Sequence, residues 1–112
     1  MDKKLTILWT SGNPGTAHLM VFMYAINSVL NHWWDQVEVV AWGAAVKLIS
    51  EDQSIQDKIE LAQKQGVKIS SCISCAAQYG VVDKLIELGI EVIPWGEPMT
   101  KLLQSGAPIL SV

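Results

Sequence analysis

Short apolar runs rich in β-type residues alternate along the chain with stretches whose apolar positions recur at helical spacing. Residues 5–9, 37–42, 67–71, 90–95 and 108–112 read as strands. Residues 17–31, 44–49, 54–65, 81–88 and 99–104 read as helices between them. Boundary chemistry supports the division. Ser54 followed by Asp57 resembles a capping box, and Gly66, Gly89 and Gly106 stand where left-handed C-caps would end helices. Pro98 suits a first helical turn. Strict alternation of strand and helix predicts an α/β fold, a parallel sheet with helices packed on its faces. Strands buried on both sides need not alternate apolar with polar residues.

Composition limits what such a domain can do. The chain has 112 residues, which is one domain over residues 1–112, and half of them are hydrophobic while 17% are charged, which excludes disorder. The net charge is −3, and all eight basic residues are lysines. Without a basic face or any arginine, nucleic acid is not an expected partner. Two cysteines do not make a disulfide scaffold. The opening residues lack the apolar stretch and cleavage site of a signal peptide, and the apolar segment 19–30 is too short to span a bilayer. A cytoplasmic protein with no membrane partner is expected.

Ligands in open parallel sheets collect at the carboxyl ends of the strands. At these ends stand Trp9 with the loop Ser11-Gly12-Asn13-Pro14-Gly15-Thr16, then Trp42-Gly43, Ser71-Cys72 and Trp95-Gly96-Glu97-Pro98. Three tryptophans and a cysteine therefore reach one edge of the sheet. The tryptophans either plug the top of a small core or line a pocket. The candidate pocket comprises Trp9, Gly12, Asn13, His18, Trp42, Gly43, Trp95 and Glu97. The loop lacks the Gly-Lys-Ser/Thr ending of a phosphate-binding loop and reads as a turn with Thr16 capping the first helix. Glu97 is either a proton acceptor for the cysteine or a solvated carboxylate, and His18 faces either the thiol or solvent.

Cys72-Ile73-Ser74-Cys75 is the chemically loaded motif. A strand running into a helix brings a cysteine near backbone N–H groups, which favour the nucleophilic thiolate. Cys72 is expected to turn its sulfur towards the loops, with the Ser74 and Cys75 amides stabilising its charge. Cys75 is expected to point back towards the sheet, as a resolving thiol or as packing. A thioredoxin-type dithiol would follow an earlier strand, and zinc would need two further ligands, with only His18 in reach. No metal and no cofactor enter the expectation. Residues 17–31 are apolar almost all round, so one side should meet the sheet and the other a second subunit.

Taken together, these pieces resemble the DsrE/DsrF-like family, whose fold is shared with the TusBCD sulfur-relay subunits and the YchN-like proteins. The resemblance runs from the opening strand with Ser11-Gly12-Asn13-Pro14 through Val39-Val40-Ala41-Trp42-Gly43 and Val46-Lys47-Leu48. It continues through Cys72-Ile73-Ser74-Cys75-Ala76-Ala77-Gln78-Tyr79-Gly80-Val81, Leu88-Gly89-Ile90-Glu91-Val92 and Trp95-Gly96-Glu97-Pro98-Met99-Thr100. It implies a three-layer α/β/α sandwich with a five-stranded parallel sheet, assembled as homotrimers or homohexamers. In its sulfur-relay members a cysteine before a glycine carries sulfane sulfur as a persulfide. By its distance from Gly80, that role falls on Cys72, with Cys75 matching a second cysteine found in part of the family. The resemblance thus implies a sulfur carrier or sulfurtransferase-like protein with donor and acceptor proteins as partners. The alternative is a homo-oligomeric module that binds a small ligand in a Trp-lined pocket without catalysis.

Overall fold

The computed structural model describes residues 3–112. Five strands, β1 (Lys4–Trp9), β2 (Gln36–Ala41), β3 (Lys68–Cys72), β4 (Glu91–Ile93) and β5 (Ile109–Ser111), form one sheet in the order β4-β3-β2-β1-β5. Every neighbouring pair is parallel. The expected α/β sandwich is therefore observed, and its topology decides where the cysteines go. The steps β1 to β2 to β3 to β4 all move one way across the sheet, and the last step returns to the opposite edge. Right-handed crossovers then place the first three connections on one face and the final one alone on the other.

The crowded face carries Leu5, Ile7 and Trp9 of β1 with Val37, Val39 and Ala41 of β2, all in the main core. Against them pack the helical region 14–30 and helices α3 (Ala44–Glu51), α4 (Gln53–Lys64), α5 (Ile73–Gln78) and α6 (Val82–Glu87). The opposite face receives only α7 (Gly96–Gln104), whose Met99 joins Val40, Cys72 and Trp95 in a second, smaller core.

The first helical region is one continuous stretch in three parts: α1 (Pro14–Thr16), a π-helical Ala17–Phe22 and α2 (Met23–Leu30). Its cap is Asn13, not Thr16: the Asn13 side-chain oxygen accepts the Thr16 N–H at 3.0 Å, and Pro14 occupies the first helical position. A similar shift occurs at α4. Asp52 caps it by accepting the Ile55 N–H at 3.2 Å, while the Ser54 hydroxyl donates to the same carboxylate at 2.6 Å. That hydroxyl, with backbone N–H groups and nearby His18, holds Asp52 below the ordinary carboxylate range. Gly66, Gly89 and Gly106 take positive φ where the helices end, as expected. β4 is shorter than the expected 90–95 because Pro94 has no N–H for the ladder and Trp95 already caps α7.

On the thinly covered face, four adjacent strands carry a ladder of alternating charge that the hydrophobic pattern does not announce. Glu38 on β2 is buried, and its oxygens lie 3.5 Å from Lys4 Nζ on β1 and 3.8 Å from Lys68 Nζ on β3. Lys68 also reaches Glu91 on β4 at 3.2 Å, and Ser70 Oγ donates to Glu38 at 2.6 Å. Glu38 first, and Glu91 second, hold the Lys68 ammonium above its ordinary pKa of 10.5.

Candidate functional site

Cys72 is the last residue of β3 and the N-cap of α5. Strand alternation places it with Ser70 on the face that α7 covers, where it packs among Val40, Trp95 and Met99 and is only 4% exposed. Cys75 follows one helical turn later and is half-buried, touching both cores. Its sulfur accepts a hydrogen bond from the Gly43 N–H at 3.2 Å. The expected exposures are thus reversed: Cys72 is enclosed, and Cys75 is the thiol that solvent reaches. The reason is α7, which closes over the end of β3 from the far side of the sheet. Among the described residues neither the Ser74 nor the Cys75 amide donates to Cys72 as expected; the backbone donor at the pair comes from the end of the neighbouring strand and serves Cys75 instead.

Gly43 makes that donation by an unusual backbone. Its φ of +63° and ψ of −132° lie in a region that residues with a Cβ rarely adopt, and this turn swings the chain from β2 into α3. Gly12 supports it from the adjacent loop, where an added Cβ would come within 3.2 Å of the Ala44 side chain. Burial holds the Cys75 thiol above its ordinary pKa, the Gly43 N–H opposes that shift, and the neighbouring Cys72 thiol adds to it. At neutral pH Cys75 is therefore a hydrogen-bonded thiol rather than a standing thiolate. Gly80, at φ +71°, ends the short helix.

The remaining candidate residues divide. Trp42 and Trp95 pack in the small core beside the cysteines. Trp9 is fully enclosed in the main core, with its ring edge-on to Phe22 at 5.3 Å between centroids, so it is not a pocket wall. The indole N–H groups of Trp9 and Trp95 are both buried without a partner. Asn13 is taken up as a helix cap. His18 turns to α4, where its Nε2 lies 3.0 Å from Ser54 Oγ, and Glu97 pairs with Lys101 at 3.0 Å on the exposed side of α7. The structure therefore joins Cys72, Cys75, Trp42, Gly43 and Trp95, with Gly12 behind them. Val40 and Met99 complete the enclosure of Cys72 and were not distinguishable in the sequence from any other core residue. Among the described residues no group of three or more His, Cys, Asp or Glu side chains is placed to hold a metal ion.

The model of the DsrE/DsrF-like family matches residues 3–109. The chain belongs to the DsrE/DsrF-like family. Among solved structures, a conserved protein of unknown function from Bacteroides thetaiotaomicron is 40% identical and superposes with a TM-score of 0.96, covering 98% of this chain and 95% of that one. A protein of unknown function from Methanobacterium thermoautotrophicum shares the fold at 20% identity and a TM-score of 0.75, over 99% of this chain and all of that one. The ychN protein from E. coli does so at 16% identity and a TM-score of 0.73, over the full length of both chains. No curated protein matches the sequence. Family membership links the chain to a fold used in sulfur relay. No helix among the described residues is long and apolar enough to cross a membrane.

Proposed function

We propose that this chain is a sulfur carrier that holds sulfane sulfur as a persulfide at the Cys72–Cys75 pair, with Cys72 as the storing thiol. The observation that carries the proposal is the pairing of an enclosed thiol with a reachable one whose sulfur accepts a backbone N–H. A persulfide exposed to solvent is lost to any passing thiol, so a carrier needs shelter, and Val40, Trp95 and Met99 provide it around Cys72. Apolar walls also exclude water from the reactive sulfur. Donor and acceptor proteins of the relay type are the partners that fit this chemistry. The ligand-binding alternative is less well supported, because Trp9 is enclosed in the core.

Cyanolysis tests the proposal. Reduced protein is incubated with inorganic polysulfide, desalted and treated with cyanide, which converts sulfane sulfur to thiocyanate. The wild-type chain should release close to one thiocyanate per chain, and a chain with both Cys72→Ser and Cys75→Ser should release none. A wild-type chain that yields no more than the double variant contradicts it.

A further inference from the structure

A pair with one buried and one reachable thiol poses a problem for any carrier. A donor persulfide on another protein cannot present its outer sulfur to Cys72, which is 4% exposed beneath α7. It can present it to Cys75, which is half-buried. The two cysteines are the N-cap and third residue of α5, one turn apart, a spacing that puts side chains within about 5–6 Å of each other at Cβ. The Gly43 N–H, 3.2 Å from Cys75 Sγ, is set to stabilise a thiolate whenever Cys75 becomes the leaving group.

We propose that the pair is a two-station relay within one chain: Cys75 takes sulfane sulfur from a donor persulfide, passes it to Cys72 for storage, and takes it back for delivery. The proposal rests on the carrier function above. In the first step the Cys75 sulfur attacks the outer sulfur of the donor R–S–SH. The donor S–S bond breaks, R–S⁻ leaves, and the Cys75 proton goes to that leaving thiolate. In the second step the Cys72 sulfur attacks the outer sulfur of the Cys75 persulfide. The Cys75 S–S bond breaks, Cys75 leaves as thiolate against the Gly43 N–H, and it takes up the proton that Cys72 gives. Sulfur is transferred with no net oxidation, so neither oxidant nor reductant is required. Attack on the inner sulfur would instead give a Cys72–Cys75 disulfide and release sulfide.

Loading with glutathione persulfide, followed by alkylation and mass spectrometry to locate the added sulfur, separates these courses. Wild-type protein should carry it on Cys72. Cys75→Ser, and Cys75→Ala as a second variant, should load about tenfold more slowly or worse, since access controls exchange. Cys72→Ser should carry the added sulfur on Cys75 instead and lose it to added dithiothreitol about tenfold faster than wild type. Cys75 variants that load Cys72 at the wild-type rate would overturn the relay while leaving the carrier function intact. Wild-type protein that emerges as the disulfide with free sulfide would overturn it as well. Wild-type protein that takes up no sulfur at all would remove both proposals together.

Discussion

Gly43 has the most demanding backbone near the cysteines, and its cost and its use are separable. An added Cβ there would meet no atom within 4 Å, so substitution acts through the dihedral angles alone. Gly43→Ala should therefore lower stability by about 1–3 kcal/mol in denaturant unfolding, the usual cost of a strained φ/ψ pair. If the N–H moves away as the strain relaxes, the Cys75 pKa should rise further, because the larger of the opposing backbone hydrogen bonds weakens. The wild-type thiols should already differ. Cys75 alkylation should be slow at neutral pH and accelerate as pH climbs past the ordinary thiol value of 9.0, since only the thiolate reacts and burial delays its formation. Cys72 should lag behind Cys75 throughout that range, and faster labelling of Cys72 would contradict the enclosure by α7. The motif itself was legible in the sequence, as was its position at a strand end. The exposures were not, because they depend on α7 crossing to the far face, and no local pattern around residues 72–75 records where residues 96–104 return.

Elements were legible wherever periodicity ran long enough. The five strands appear at the expected places, and α5 stands where the cysteine motif called for a helix after β3, although it was not among the stretches marked out by helical periodicity. Caps were legible in kind but shifted in place. Asn13 and Asp52 compete with Thr16 and Ser54 for the same role and win because they stand at the true helix starts. Asn13→Ala should accordingly cost about 0.5–2 kcal/mol, measured by chemical denaturation. The charge ladder is the feature that hydrophobic patterning hid most completely. It depends on parallel register, Glu38 beside Lys68 and Ser70 beside Glu91, and not on neighbours in sequence. Removing the Ser70 hydroxyl from the buried Glu38 carboxylate should cost about 1.5–3 kcal/mol, the range for hydrogen bonds to charged groups, so Ser70→Ala is predicted to lower the denaturation midpoint clearly. Lys68 has a folded pKa above its unfolded value, so its contribution is complete below pH 10.5 and is lost as pH rises through the higher folded value. The midpoint should hold steady through neutral pH and fall at strongly alkaline pH, less so in Lys68→Met.

At the scale of the whole molecule, the apolar helix 14–30 meets the sheet with one side and leaves the other uncovered. Leu19 is 69% exposed and Trp33 53%, with Met23 between them, and a groove of about 300 Å³ runs among Leu19, Met20, Met23, Tyr24, Asn27 and Trp33. Contiguous apolar surface of this kind marks an interaction site. Self-association through this face is proposed, and light scattering should give a mass several times the 12.3 kDa of one chain. Met23→Lys should shift that mass downwards, and a single-chain mass for the wild type at micromolar concentration would rule the contact out. Sulfur storage remains the central claim, and the intact mass of the desalted wild-type chain after exposure to a persulfide donor tests it most directly. The account predicts a gain equal to one sulfur atom that disappears on reduction and is absent when Cys72 and Cys75 are both serine; an unchanged mass, or an equal gain in the double variant, would contradict it.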